Sequence, residues 1–215
     1  MSQDKCPFVL LYQDEDIVVV YKKRDVLTIR TEDKKTFNRN LYYYLKQDVI
    51  RDGEKLFVLH RLDYETSGIL VFPKKKEVFT RLQSFFVNRS VKRYYEAVIR
   101  ENIPLGERFE VHQLLDDAKN VRVSIDGKEA ITSFVAVNQI QIGTALDIKI
   151  KTGRRNQIRI ALHDCGYTLL GDRRYSNDFN KRMYLNSYRL VFPLEAKLKK
   201  REFSLDPLWI KESVV

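Results

Sequence analysis

Short runs of apolar and β-branched residues, separated by polar turns, occupy the beginning of the chain. One run covers residues 8–12, the next covers 17–21, and the residues between them are all polar. Side chains of this kind suit a pleated, half-buried surface, so the pattern predicts two strands joined by a turn. A third run at 69–72, closed by Pro73, predicts a short buried strand.

Helical periodicity occurs at two places in the first half of the chain. An apolar residue recurs at every fourth position in the set Phe37, Leu41, Leu45 and Val49. This spacing predicts an amphipathic helix with Thr36 as its N-cap. A second apolar stripe predicts a helix that ends near Asn88, and it consists of Val78, Leu82, Phe85 and Phe86.

The second half of the chain shows mainly the period of two that is typical of strands. In residues 93–99, Arg93 and Tyr95 are expected on one face and Tyr94 on the other. Asp126-Gly127, between apolar stretches at 121–125 and 130–137, predicts a hairpin. Alternation over 146–151 predicts a further strand with one solvated face.

A helix is predicted directly after that strand. Ile158, Leu162 and Cys165 follow at helical spacing, and Gly166 is a typical residue just beyond a helix end. Arg159 is therefore expected in the first turns of this helix. Strands that outnumber helices, without regular βαβ order, predict an α+β fold with a mixed, largely antiparallel sheet and flanking helices. The length of 215 residues suits one domain covering 1–215.

The chain carries a large excess of positive charge, which bears on the kind of molecule it binds. It has 39 Lys and Arg against 29 Asp and Glu, a net charge of +10, and a pI near 9.5. A pI above about 9 is typical of nucleic-acid-binding proteins. General solubility charge explains the same numbers, so charge alone leaves both interpretations open.

Cysteine and histidine positions argue against metal and disulfide chemistry. The two cysteines, Cys6 and Cys165, have no redox or zinc spacing, and the three histidines are far apart. Phosphate-binding glycine patterns are also missing, so no nucleotide cofactor is expected. Without a signal peptide or an apolar run of membrane-spanning length, a cytoplasmic protein is predicted.

One turn places a carboxylate in front of a buried strand. Thr66-Ser67-Gly68 is typical turn chemistry, and it separates Asp63 from the apolar run at 69–72. An aspartate at such a bend either caps the turn, with Arg61 paired to it on the surface, or is a catalytic group on a rigid scaffold. The turn by itself is compatible with both.

The longer motif around this turn resembles a known family. His60-Arg61-Leu62-Asp63-x-x-Thr66-Ser67-Gly68 is similar to the signature of the RluA family of RNA pseudouridine synthases, whose nucleophile is the aspartate. The stretch 91–98 resembles the second family motif, with Tyr95 as its tyrosine and Tyr94 as the weaker alternative. Residues 152–159 resemble the third motif, whose last arginine, here Arg159, pairs with the catalytic aspartate.

Three further stretches carry the resemblance, with departures. Lys22 matches the lysine of a Lys-Pro-x-Gly element, but the proline and glycine are not kept. Asn156 stands where the family usually has histidine, so a role that needs a titrating imidazole is not available there. Gly171-Asp172-x-x-Tyr175 resembles a Gly-Asp-x-x-Tyr segment. The additional N-terminal S4 domain of some family members is not expected here.

The resemblance implies isomerisation of uridine to pseudouridine in rRNA or tRNA, on a fold with a central cleft. It assigns catalysis to Asp63, Tyr95 and Arg159. The residues expected to bind RNA are Arg61, Arg93, Arg154, Asn156 and Gln157. No metal, organic cofactor or membrane is expected, and the chain is expected to act as a monomer.

Two rival functions are weighed against this one. A non-catalytic RNA-binding module is disfavoured because all three catalytic positions are intact. A carboxylate-based nucleoside or glycoside hydrolase needs a second carboxylate, for which Glu65 is the nearby candidate. The sequence leaves open whether Asp63 attacks C1′ or removes the C2′ proton, and which uridine is modified.

Overall fold

Hydrogen-bonded strands dominate the computed structural model, which describes residues 6–51, 53–116, 121–180 and 182–210. Within these residues the strands are β1 (Phe8–Gln13), β2 (Ile17–Lys22), β3 (Ser67–Pro73), β4 (Lys92–Ile99), β5 (Arg108–Leu115), β6 (Lys128–Ile140), β7 (Gly143–Ile150), β8 (Leu185–Val191) and β9 (Glu202–Ser204). The α-helices are α1 (Leu41–Asp48), α2 (Lys76–Val87) and α3 (Gln157–Asp164). Two 3-10 turns lie at Lys34–Thr36 and Leu194–Ala196.

The chain divides into two compact units. The first contains residues up to Val91 together with Val191–Phe203, and the second contains Lys92–Leu190 and the residues from Ser204 onwards. The predicted α+β class with a largely antiparallel sheet is confirmed by the strand pairings within the units. The expected single domain over 1–215 and its central cleft stay predictions.

The first unit is built on three antiparallel strands in the order β1, β2, β3. Every residue of β3 is buried, and α2 packs against it through Val78 and Leu82. The predicted strands at 8–12, 17–21 and 69–72 and the predicted helix ending near Asn88 are all confirmed. The predicted turn at Thr66-Ser67-Gly68 is wrong in part, because Ser67 and Gly68 are the first residues of β3, so a fully buried strand begins within the Asp63 motif.

The predicted start of α1 is wrong. The helix begins at Leu41, and its N-cap is Asn40, whose side-chain oxygen accepts a hydrogen bond from the Tyr43 N–H at 3.0 Å. Thr36 instead ends a separate 3-10 turn, and Phe37 is 56% exposed outside the helix. An asparagine in extended conformation satisfies the first free N–H groups, which is why the helix starts there.

The second unit contains the strand order β8-β4-β7-β6-β5, with antiparallel pairing from β4 to β5. Residues directly opposite each other on neighbouring antiparallel strands have their side chains on the same face of the sheet. One such row is Tyr95, Ile148, Phe134 and Phe109, in which the last two rings stack at 4.7 Å. Helix α3 lies against β5 and β6.

The predicted hairpin around Asp126-Gly127 is wrong in its pairing. The turn exists, since the Gly127 N–H donates to the Ser124 carbonyl at 2.9 Å. However, β6 pairs with β5 on one side and β7 on the other, so neither edge is available to residues 121–125. Among the described residues, that stretch makes a single isolated bridge, from Val123 to Leu115. A β-carbon on Gly127 would approach the Leu115 backbone to 2.6 Å, so the glycine is required by this close contact.

The C-terminal segment is anchored to the second unit. The buried Glu96 carboxylate accepts hydrogen bonds from the N–H groups of Leu208 and Trp209 at 2.8 and 2.9 Å. Trp209 packs with Val98 and Leu170 in a buried apolar cluster. Within the described residues, no helix is both long and apolar enough to cross a bilayer.

Candidate active site

Asp63 lies on a segment whose backbone is held on both sides. The Thr28 hydroxyl donates to the Leu62 carbonyl at 2.9 Å and accepts the Leu62 N–H at 3.2 Å. On the other side, the Val26 N–H donates to the Tyr64 carbonyl at 3.2 Å. Asp63 itself is half-buried. The residue thus keeps part of its surface accessible, while the backbone that carries it is fixed.

A buried lysine completes this support. Lys22, at the end of β2, has no exposed surface. Its ammonium donates to the carbonyls of Lys23, Val26 and Tyr64 at 3.1, 2.8 and 3.1 Å. Three acceptors match the three N–H donors of an ammonium. Lys22 stands opposite Gly68 in the β2–β3 ladder, where φ is +134°, so the glycine predicted to allow positive φ does so.

Charge also links Lys22 to the motif. Burial lowers the pKa of Lys22 from its ordinary value of 10.5 to about 7. The neighbouring carboxylates of Asp63, Asp25 and Glu65 oppose this by favouring the protonated form, and Asp63 is the strongest of the three. Sequence analysis noted this lysine only through the family resemblance and gave it no role.

Other residues of the motif pack within the first unit. The His60 Nε2 accepts the N–H of Val71 at 3.2 Å, and its ring stacks on Phe86 at 5.1 Å. Thr66 is buried, and its hydroxyl has no hydrogen-bond partner among the described residues. Arg61 is exposed. The histidine thus ties the motif to β3, whereas the arginine points outward and is accessible to a ligand.

Arg159 lies in the first turn of α3, as predicted, and is 3% exposed. Its Nε and Nη2 donate to the two carboxylate oxygens of Asp172 at 2.8 and 2.7 Å. Its Nη1 donates to the side-chain oxygen of Asn156 at 3.2 Å. A bidentate pair of this kind fixes the plane of the guanidinium.

Asp172 is fully buried, yet it is stabilised as an anion. Burial acts to raise its pKa, but hydrogen bonds and charge from Arg159, with the N–H groups of Tyr175 and Arg174, hold the pKa below the ordinary value. Those two N–H groups donate at 3.2 and 2.9 Å. The Asp172 carboxylate therefore organises both Arg159 and the loop that follows.

Tyr175 and Asn156 complete the support of Arg159. The Tyr175 ring lies 5.2 Å from the Arg159 guanidinium and 5.4 Å from that of Arg174. Its hydroxyl accepts from the Asn156 amide at 3.0 Å. Asn156 has φ of 55°, a left-handed conformation that asparagine tolerates well. The asparagine in place of the usual histidine thus joins Tyr175 to Arg159.

Gln157 is also engaged inside the unit. It is 3% exposed, its amide oxygen accepts from the Thr152 hydroxyl and the Arg154 N–H, and its NH₂ donates to Thr132 and Ile131. Arg154 is half-buried, and its Nε donates to the Glu129 carbonyl at 3.0 Å. The contacts of these two predicted RNA-binding residues are therefore internal ones that shape the entrance to α3.

Tyr95 and Arg93 lie on the predicted common face of β4. Arg93 lies opposite Ile150 of β7, which in turn lies opposite Thr132 of β6. The Thr132 hydroxyl accepts a hydrogen bond from the side chain of Gln157 in α3, so this face of the sheet is the one that α3 covers. Tyr94 points to the opposite face, where its ring lies 5.2 Å from the Arg189 guanidinium. Tyr95 thus shares its sheet face with α3, whereas Tyr94 lies on the opposite face.

Arg93 is 7% exposed, and it donates to the Lys151 carbonyl at 3.0 Å. Burial lowers its pKa, while the nearby Tyr95 partly opposes this effect. A β-carbon on Gly153 would approach the Arg93 guanidinium to 2.5 Å. Arg93 is therefore packed against the turn that leads into α3.

The structure brings the site residues together in two sets. Asp63 and Arg61 belong to the first unit, whereas Arg93, Tyr95, Arg154, Asn156, Gln157 and Arg159 belong to the second. The predicted pair between Arg159 and Asp63 stays a prediction. Lys22, Asp172 and Tyr175 were noted from the sequence only as members of stretches that resemble family motifs, and none of them was assigned to the site. Among the described residues, no three histidine, cysteine, aspartate or glutamate side chains are grouped to hold a metal ion.

Named relatives match most of this chain. The chain is 30% identical over 171 residues to ribosomal large subunit pseudouridine synthase D of Escherichia coli O6:H1, covering 77% of this chain and 52% of that protein. It is 31% identical over 180 residues to the protein of the same name from Yersinia pestis, covering 81% and 54%. The chain thus spans about half the length of the curated relatives it matches.

Solved structures agree on the fold. Human RNA pseudouridylate synthase domain containing 1 superposes with a TM-score of 0.74 at 21% identity, over 93% of this chain and 83% of that one. Human RNA pseudouridylate synthase domain containing 4 gives 0.71 at 19% identity, over 92% and 87%. The RNA pseudouridylate synthase family profile matches residues 16–164, well over half of the chain. With the motifs, the relatives and the fold in agreement, the chain belongs to the RNA pseudouridylate synthase family, in its RluA-type branch.

Proposed function

We propose that this chain is an RNA pseudouridine synthase that isomerises specific uridines, with Asp63 as the catalytic carboxylate. The observation that carries the proposal is the fixed backbone on both sides of a half-exposed Asp63. A group that attacks a sugar carbon or abstracts its proton must be held within a fraction of an ångström of its target. Membership of the family supplies the class of reaction.

The reaction breaks the N1–C1′ bond, turns the base, and joins C5 to C1′. A proton leaves C5 and N1 gains one, so the product is an isomer of the substrate and no redox step or group donor is involved. Asp63 acts either as a nucleophile at C1′ or as the base that removes the C2′ proton. Deuterium at C2′ separates the two routes, because only proton removal gives a primary isotope effect.

Arg159 is proposed to pair with Asp63 and to keep it ionised. An opposite charge at close range lowers a carboxyl pKa by about 1–3 units. A guanidinium has five N–H donors, so it can bind Asp172 and Asn156 and also donate to a second carboxylate. Tyr95 is proposed to stack on the target base.

RNA contact is proposed to rest mainly on Arg61, whose side chain is exposed beside Asp63 in the sequence. Extruding a base from its stack costs a few kcal/mol, which a neighbouring cation helps to offset. The buried Arg93, Asn156 and Gln157 are proposed to position Arg159 and Tyr95, while half-buried Arg154 contributes charge at the rim.

Ribosomal RNA is the first substrate to test, because the curated relatives are named for the large ribosomal subunit, and tRNA is the second. The test maps pseudouridine in RNA from cells with and without the protein. We expect one or a few sites to disappear without it and to return with the wild-type chain. Identical maps in both cells would contradict the proposed function.

A further inference from the structure

A charged segment between β2 and α1 takes no part in the site described above. Residues 30–39, named here the basic arm, are all exposed except the half-buried Thr36. The arm contains four basic residues, Arg30, Lys34, Lys35 and Arg39, against Glu32 and Asp33. Among the described residues, none of those four cations has an ion-pair partner. Their charge is therefore available to an anionic ligand.

The backbone of the basic arm is held by its own side chains. Asp33 accepts the Lys35 N–H at 2.9 Å, and the Thr36 hydroxyl donates to the Asp33 carbonyl at 2.7 Å. The Asn40 amide donates to the carbonyls of Thr36 and Phe37 at 2.9 and 3.0 Å. One of the two acidic residues is thus used as a cap, and the arm is preorganised for binding.

The basic arm also presents an exposed aromatic ring, that of Phe37, among its basic side chains. Phe37 is 56% exposed, and the Arg30 guanidinium lies 5.2 Å from its ring centroid. Phe37 and Lys34 both line two open depressions of about 560 and 680 Å³. Basic side chains around an exposed ring are the features with which proteins bind single-stranded nucleic acid, because phosphates meet the cations and a base stacks on the ring.

We propose that the basic arm is a second RNA-binding site, which takes a single-stranded segment of the substrate outside the target uridine. One base stacks on Phe37, and Lys34, Lys35 and Arg39 contact the phosphates beside it. The inference rests on the proposed function for the identity of the RNA. Binding of RNA by the basic arm does not depend on Asp63.

The test measures binding of a short fluorescent oligouridylate to the full chain over a range of salt. Phe37→Ala should weaken binding about tenfold, since stacking of one base has roughly that effect, whereas Phe37→Tyr should bind like the wild type. The double variant Lys34→Gln/Lys35→Gln should make the slope of log K against log salt shallower by about 1.4, which is 0.7 for each lost phosphate contact.

Matched controls are available elsewhere in the chain. Phe179 is 75% exposed and lies in the second unit, and Lys55 and Lys149 are exposed lysines outside the arm. Phe179→Ala should leave affinity unchanged, and Lys55→Gln/Lys149→Gln should leave the salt slope unchanged. Equal losses in these controls would overturn the assignment. The assignment would also be overturned if Phe37→Ala and Lys34→Gln/Lys35→Gln lost binding to anionic phosphatidylserine vesicles but kept wild-type affinity for RNA.

The outcome is separable from the proposed function. If the wild type forms pseudouridine but Phe37→Ala binds oligouridylate with wild-type affinity, the basic arm proposal fails and the enzyme assignment stands. If Phe37→Ala loses affinity while no RNA pseudouridine depends on the protein, the RNA-binding arm stands and the enzyme assignment fails. Equal melting temperatures of wild type and Phe37→Ala show that folding is not the cause.

Discussion

Lys22 and Asp172 are charged residues with no exposed surface, one in each unit. The lysine is surrounded by three carbonyls, and the aspartate has a bidentate arginine and two N–H donors. Buried charges persist in proteins only when they are paired and hydrogen-bonded. Both residues therefore support functional segments at a cost in desolvation, and each makes stability depend on pH.

Replacing Lys22 with Met should destabilise the protein by about 2 kcal/mol near neutral pH, because buried carbonyls lose their donor. The difference should grow as the pH rises from about 7 towards 10. In that window the unfolded chain binds a proton that the folded chain does not, so wild-type stability rises by up to about 1.4 kcal/mol per pH unit. Urea unfolding at several pH values checks this. A gap independent of pH, or an equal loss in the exposed Lys55→Met, would refute it.

Replacing Asp172 with Asn should cost about 3 kcal/mol at pH 7, since Arg159 is left as a buried charge without its anion. The pKa of Asp172 is depressed in the folded state. Its contribution to stability is therefore complete above the unfolded-state pKa of about 3.9 and is lost as the pH falls through the lower folded-state pKa. Thermal unfolding of Asp172→Asn and of the exposed control Asp126→Asn tests this. Equal melting temperatures for the two variants would show that the pair is not stabilising.

Some of these residues could be predicted and others could not. The place of Arg159 on α3 followed from apolar spacing. The turn near Asp63 was placed too late, because the bend lies at residues 64–65 and Ser67 and Gly68 already belong to β3. The partner of Arg159 could not be predicted, because Asp172 lies 13 residues away across a loop that no periodicity describes. Lys22 was missed for a different reason: lysine is usually exposed, so its burial contradicts the general expectation.

At the scale of elements, helix starts were the weakest prediction. Apolar spacing placed Phe37 on α1, because Phe37 continues the four-residue repeat. The N-cap was therefore predicted at Thr36, four residues before the observed N-cap Asn40. In the structure the helix begins only at Leu41, because Asn40 caps it and the Asn40 amide also holds the preceding turn. The alternating strands β4 and β7 were predicted, whereas β5, which also alternates, was not. The pairing of 121–125 failed because register depends on which edges are already occupied.

Asn40→Ala should therefore destabilise the protein by about 1–2 kcal/mol through loss of the helix cap and of the two carbonyl contacts. Thr36→Ala, at the position that the sequence predicted as the cap, should cost less, because its hydrogen bonds are exposed. Chemical denaturation of both variants makes the comparison. A larger loss for Thr36→Ala would contradict the observed start of α1.

For the whole molecule, the net charge of +10 together with the proposed RNA substrate predicts electrostatic binding of RNA. With about four to six phosphate contacts, log K should fall with log salt at a slope of roughly −3 to −5. Uridine nucleoside, which has no phosphate, should show little salt dependence, and this separates an RNA enzyme from a nucleoside hydrolase. Fluorescence anisotropy with a structured ribosomal RNA fragment gives the slope. A flat line would exclude RNA as the substrate.

The two units contribute different parts of the proposed chemistry. The first holds the carboxylate of Asp63, and the second holds Arg159 with its buried support and Tyr95 on the sheet face next to α3. Family membership covers residues in both units, since the matched profile runs from 16 to 164. The proposed reaction therefore depends on Asp63 more than on any other residue.

The most direct measurement is pseudouridine formation by Asp63→Asn, compared with Glu65→Gln as the neighbouring carboxylate control. Asn keeps the size of the side chain but removes its charge and nucleophilicity. We predict no measurable product from Asp63→Asn, with RNA affinity and melting temperature close to wild type, and near-normal product from Glu65→Gln. Product formation by Asp63→Asn at even a tenth of the wild-type rate would contradict the account.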